Sequence, residues 1–195
     1  MSGNQGRVPG LTQDWPADTA TVVDETRRWL ERAVIGLNLC PFAKAVHVKD
    51  QLRYVVSAAT DPGQLQAELE SELRLLAEAD PEQVEMTLLM HPQVLQDFID
   101  YNDFLDVADA TVEQLGLGGI LQIASFHPQY QFAGTEPDDI DNFTNRSPYP
   151  TLHLLRESSI DQAVAAFPEA SEIYERNIET LRRLGRPGWA RLFKG

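Results

Sequence analysis

Hydrophobic positions along the chain switch between helical and alternating spacing, and each switch marks an element. From Thr21, the residues Val22, Trp29, Ala33 and Leu37 recur near helical spacing, with Thr21 three residues ahead of Asp24 as a capping signal and Gly36 and Asn38 as the stop. Leu52 to Ala58 is short, β-branched and aromatic, so it reads as a strand. It gives way at Asp61-Pro62 to a helix whose Leu65, Leu69, Leu73 and Leu76 form one apolar stripe. Glu68, Glu70 and Glu72 lie mostly off that stripe and read as solvated. Val84 to Met90 is a second strand, ended at His91-Pro92 because proline has no amide for a ladder and holds the residue before it extended. A long helix follows, with Phe98, Leu105, Ala108, Val112 and Leu115 on its apolar side and Gly116 as its cap. Ile120 to Ser125 is a third strand, ended by Phe126, His127 and Pro128.

A fourth strand is expected from Leu152 to Glu157. It lies beyond a connection from Pro128 to Pro150, long enough to be functional or to hold a small element of its own. Two helices close the pattern, one after Ser159 with Ile160, Val164 and Phe167, and one from about Glu169 to Leu184 stopped by Gly185. Strands alternating with helices predict an α/β fold: a single-domain sheet of about four strands, largely parallel, with helices packed against it and C-terminal helices. The direction of the fourth strand is left open. Residues 1–18, rich in Gly, Pro and polar types, are expected to form a flexible arm, and residues 19–195 one domain.

Charge narrows the partners. With 30 acidic residues against 16 basic ones the chain carries -14, a field that repels phosphate backbones and anionic membranes, so neither nucleic acid nor a membrane is expected as a partner. A small anionic substrate would need a local Arg or Lys to overcome that field. The single cysteine, Cys40, cannot form an internal disulfide, and no apolar stretch resembles a signal-peptide core or a bilayer span, so a cytoplasmic location is expected. Oligomeric state is not legible.

In open parallel sheets ligands bind beyond the carboxyl ends of the strands, where His91 and His127 both fall. Each precedes a proline that restricts its backbone, as a proton-transfer group or metal ligand requires, although the same His-Pro pair can simply end a strand. The following segment adds Tyr130, Arg146 and His153. Arg146 can clamp a carboxylate or phosphate with its planar fork, or pair with Asp138, Asp139 or Asp141. Those acids can bind Mg²⁺, but Thr135, Pro137 and Asp138 equally resemble a helix start. His91, His127 and His153 could hold a catalytic zinc, without the tight spacing that would strengthen the case. Cys40 is read as a buried structural cysteine, as a nucleophile paired with a histidine, or as a redox thiol. The last follows from Cys40-Pro41-Phe42-Ala43, which resembles the single-thiol motif of some thioredoxin-fold proteins, including omega-class glutathione transferases.

Four longer segments, GLNLCPFAKAV, HPQVLQDFIDYNDFLD, LQIASFHPQYQFAG and NRSPYPTLHLLRE, resemble the domain of unknown function 1415 (DUF1415) family from about Thr21 to Trp189. The resemblance implies a cytosolic bacterial-type protein and no particular activity. It places Cys40, Lys44, His91, Asn102, His127, Tyr130, Arg146 and His153 as the polar positions of the family segments, with Gly134 and Pro148 shaping one loop. The functional expectation is a hydrolase or group transferase acting on a small anionic substrate, because no Gly-rich dinucleotide fingerprint is present. His127 would be the main acid or base, His91 and Cys40 its catalytic partners, and Arg146, Lys44, Tyr130 and His153 the substrate-binding residues. A divalent metal is the one cofactor considered. The rival expectation is a non-catalytic metabolite- or protein-binding regulatory protein whose acidic surface favours basic partners.

Overall fold

The computed structural model describes residues 18–166 and 172–194. Helix α1 (Thr19–Trp29) begins one cap earlier than expected. Asp18, not Thr21, is the N-cap, and its carboxylate accepts from the Thr21 amide at 3.0 Å and the Thr21 hydroxyl at 2.7 Å. The helix continues into a π-helical stretch, Leu30–Ile35, and stops at Gly36, where a Cβ would stand 2.4 Å from the Arg32 carbonyl oxygen. A short helix, α2 (Ala43–Val48), follows.

Strand β1 (Leu52–Val56) leads into α3 (Pro62–Glu78), capped by Asp61, whose carboxylate accepts from the Gln64 amide at 2.9 Å. Leu65, Leu69, Leu73 and Leu76 are all fully buried, as their spacing predicts. Then come β2 (Met86–Met90), α4 (Phe98–Gln114), β3 (Leu121–Phe126), a 3₁₀ segment (Ile140–Asn145), β4 (Thr151–Arg156), α5 (Glu157–Ala166) and α6 (Ile173–Leu192). Gly185 stops the helical path where the sequence places the stop, and a further helical stretch within α6 follows it. Its φ of 65° and ψ of 169° break the helical path, after which Pro187 sits in the resumed turn that runs to Leu192. Residues 1–17 of the expected arm, together with Phe167 and Glu169, lie outside the described residues.

The sheet corrects the expectation of largely parallel strands. Its order is β1-β2-β4-β3, with β1 parallel to β2 but β4 antiparallel to both of its neighbours. The sheet is therefore mixed and mostly antiparallel. A strand-helix-strand crossover fixes the relative direction of β2 and β3 without making them adjacent, and the long connection after β3 returns the chain into the gap between them. Because β1, β2 and β3 still run the same way, their carboxyl ends share one rim.

Side-chain alternation sends the two faces of the sheet to different layers. Leu89, Leu121, Leu152 and Leu154 pack under α3 and α4. On the other face, Leu88 and Met90 meet Val22 of α1, and Tyr54 and Phe126 meet Trp29, Leu181 and Trp189 from α1 and α6. Among the described residues no helix is long and apolar enough to cross a membrane.

Arg156, the last residue of β4, is buried and ties the layers together. Its Nη2 donates to the carbonyls of Leu76 at 2.7 Å, Ala79 at 2.8 Å and Val84 at 3.1 Å, closing the end of α3 and the turn into β2. Arg156→Met keeps an apolar stem and removes the donor. It is expected to lower stability by about 2–3 kcal/mol in urea unfolding, with the slope of the transition unchanged.

Candidate functional site

At the shared rim, the two His-Pro strand ends meet under the first turns of α4. His91 and His127 both continue the sheet face covered by α4, and Tyr101 of that helix lies between them. The Tyr101 ring stacks on His91 at 5.6 Å and 19° and on His127 at 5.0 Å and 34°. All three residues are fully buried. The Tyr101 hydroxyl accepts from the Phe126 amide at 3.2 Å and donates to the Thr151 carbonyl at 2.8 Å. Phe126 and Thr151 are register partners of β3 and β4, so the phenol stands in the last rung of that ladder.

The imidazoles hold the turn that feeds α4. His91 Nδ1 lies 3.0 Å from the Val94 carbonyl oxygen, and His127 Nε2 lies 3.2 Å from that of Leu95. The Gln129 amide donates to His127 Nδ1 at 3.0 Å, which puts the ring proton of His127 on Nε2; His91 correspondingly carries its proton on Nδ1. Its Nε2 is buried with no hydrogen-bond partner among the described residues. Leu95 adopts a φ of 56°, a left-handed conformation that leucine resists, and the two imidazole bonds flank it. Burial pushes both rings down from the usual 6.5 to about 4, against the opposing pull of the carbonyl bonds, so at neutral pH both are uncharged.

Arg146 closes the segment beyond β3 rather than facing solvent. Its Nε donates to the Tyr130 carbonyl at 3.1 Å and its Nη2 to that of Pro137 at 2.6 Å, while the guanidinium lies 4.5 Å over the Phe143 ring. Burial lowers its pKa to about 10, helped by the nearby charge of Arg186. The acidic residues of the segment pair elsewhere: Asp141 takes both Arg182 nitrogens, at 3.0 and 2.6 Å, and Asp138 takes Arg186 at 2.8 Å. Tyr130 joins an aromatic file running from His127 through Phe98 to Phe132 and Tyr174.

The remaining predicted residues lie apart from this cluster. His153 alternates to the opposite face of the sheet, where its Nε2 lies 3.1 Å from Met86 Sδ and burial again lowers it to about 4. The three histidines therefore do not converge, and no group of three or more His, Cys, Asp or Glu among the described residues could hold a metal ion. Cys40 packs beside the cluster of Trp29, Leu39 and Leu181, and burial raises its thiol above the usual value despite backbone hydrogen bonds from Phe42 and Ala43. Lys44 is exposed on α2.

Three residues that sequence reasoning passed over do much of the positioning. Tyr101 lies three residues after Phe98 and seven before Ala108, so the helical stripe could have revealed it. Asn142, fully buried, accepts from the Phe132 amide and the Thr135 hydroxyl and donates to the Glu136 carbonyl. Asn145 covers β3 by donating to Ser125 and accepting from the His127 amide. Nothing local in the sequence marks either asparagine.

Two outcomes follow from this geometry. Tyr101→Phe leaves the Phe126 amide and the Thr151 carbonyl facing an apolar edge. Unfolding free energy should drop by about 1–3 kcal/mol, with faster hydrogen exchange at the Phe126 amide. For pH, the neutral rings contribute fully above their unfolded-state value near 6.5. Between there and about 4 the unfolded chain binds protons that the fold refuses, so stability falls as pH falls. Each buried ring contributes a slope of about 1.4 kcal/mol per pH unit. Urea midpoints measured from pH 7.5 to 5 should show this decline, and His153→Leu should reduce the slope by one proton; an unchanged slope would mean that His153 is charged in the fold.

Neither a curated protein nor a solved structure matches the chain. A family model does match, over residues 21–191, and its description is a protein of unknown function, DUF1415. With nearly the whole described fold inside that match, the chain belongs to the DUF1415 family.

Proposed function

We propose that this protein is a non-catalytic binding protein of regulatory type, in which His91, His127 and Arg146 are framework rather than reacting groups. The observation that carries this is the engagement of all three with backbone carbonyls inside closed packing. A general acid or base must come within hydrogen-bond reach of a substrate atom and titrate near the working pH. Both imidazoles are fully buried and held near 4, and the Arg146 fork is already turned onto Tyr130 and Pro137. The net charge of -14 directs the binding toward basic partners.

A second reading, a hydrolase or group transferase for small anions, has one observation in its favour. His91 Nε2 keeps a bare lone pair beside His127, and an opening of the Val94-Leu95 turn would expose it. A panel of phosphate, ester and amide substrates separates the two. The protein is expected to give no turnover above the uncatalysed rate, and His127→Gln to change nothing in the same panel; turnover that disappears in His127→Gln would establish the enzymatic reading instead.

A further inference from the structure

The two edges of the sheet are treated differently. At the end of β3 the Ser125 carbonyl and the His127 amide are covered by Asn145. At β1 the Ser57 amide donates to Met90 and the Gln51 carbonyl accepts from Glu85, so the odd-numbered residues turn their backbone toward β2. Leu52, Tyr54 and Val56 consequently turn their amides and carbonyls outward, and no backbone partner meets them among the described residues. The strand has no proline and no bulge to discourage pairing.

Alongside this edge runs a trough of about 430 Å³, lined by Val55, Val56, Ala67, Glu68, Ser71 and Glu72, with Ala58 at its end. It separates β1 from α3. One turn apart on α3, Ala67 and Ser71 are small enough to leave room for a neighbouring side chain. Glu72 already holds Arg53 by two bonds of 3.0 Å, while Glu68 has no ion-pair partner among the described residues. The other side of β1 is largely apolar, with Tyr54 and Val56 packed toward Val22 and the Arg27 guanidinium 5.2 Å over the Tyr54 ring.

We infer that this edge accepts an extended segment of a partner protein, adding a strand beside β1, with a basic residue at every second position laid against Glu68 and apolar residues between them. The inference names a partner class for the binding function proposed above and rests on that reading. Period-two alternation follows from the pleat: one set of side chains enters the acidic trough and the other meets the apolar face. A second copy of this chain fits less well, because antiparallel pairing of β1 with itself would set two acidic α3 walls side by side. Residues 1–17 fit less well too, since their one basic residue, Arg7, is offset by Asp14.

The probe is an acetylated, amidated hexapeptide alternating valine and lysine, added to the full chain while backbone amides are followed by NMR and hydrogen exchange. The amides of Tyr54 and Val56 are expected to shift and to become at least roughly tenfold more protected at saturation. Glu68→Lys should weaken binding by roughly tenfold, and added salt should weaken it further. Replacing the lysines by glutamates should abolish it. Peptides N-methylated at all valines or at all lysines test the backbone pairing without touching the protein: one should fail and the other bind, because only one edge of the peptide meets β1. Retention by both, or shifts confined to residues away from β1 and α3, would overturn the edge as the site while leaving a binding function intact. Strong protection of Tyr54 and Val56 in dilute protein alone, or a concentration-dependent dimer that protects them, would overturn the partner in favour of this chain itself. Substrate turnover, by contrast, would remove the binding reading and not the peptide result.

Discussion

A single phenolic hydroxyl joins the last pair of the β3–β4 ladder to helix α4. By accepting from Phe126 and donating to Thr151, Tyr101 bridges the register partners that end the β3–β4 ladder. It thereby fastens the start of α4 to the strand that entered the sheet last in sequence. The same ring, held in that position, lies against both His91 and His127, and all three are fully buried. In so dry a setting the charged imidazole has no compensating anion close enough to offset its desolvation, so both rings remain neutral. Neutrality suits them as one-proton donors. Each has a single ring N–H, and each uses it on a carbonyl of the Val94-Leu95 turn.

Carbonyl satisfaction accounts for where the polar residues of the connection point. The stretch from His127 to Pro150 contains only a 3₁₀ segment, so many of its backbone groups lack regular partners, yet much of it is buried. Arg146 supplies donors to two of its carbonyls, and Asn142 serves an amide, a hydroxyl and a carbonyl at once. Arg156 does the same work at the far end of β4 for the carbonyls that follow α3. Residue types that in a cleft would bind an anion are here consumed by the chain itself.

Legibility in the sequence followed the range of the interaction. The α3 stripe, the Asp61-Pro62 start and the His-Pro strand ends were readable because their causes lie within a few residues. The direction and place of β4 were not, because a period-two pattern is the same read either way, and the gap it fills is created by residues far along the chain. His91 and His127 end at one rim, since β2 and β3 share a direction even though they are not neighbours. His153 was misjoined to them because one-residue alternation within β4 turns it to the other face. What the rim does with its imidazoles depended on burial, and burial depended on Tyr101, a residue that reads as core.

Closing one rim so completely also bears on where recognition can occur. The helix-covered face is filled by leucines from α3 and the sheet, the opposite face by tryptophans from α1 and α6, and the carboxyl-end rim by the aromatic file. The end of the outer edge of β3 is covered by Asn145, at Ser125 and His127. The edge of β1 differs because the strand's own long polar side chain, Arg53, is drawn inward onto Glu72 rather than left standing as a guard against pairing. That ion pair braces the strand against α3 and keeps the trough open. It also leaves Glu68 as the charge that an approaching strand meets first, in a molecule whose overall field already attracts cations. Backbone pairing is indifferent to sequence, so any selectivity at such an edge must come from the trough. Its small residues and its carboxylate select for a cationic side chain long enough to reach across from the neighbouring strand.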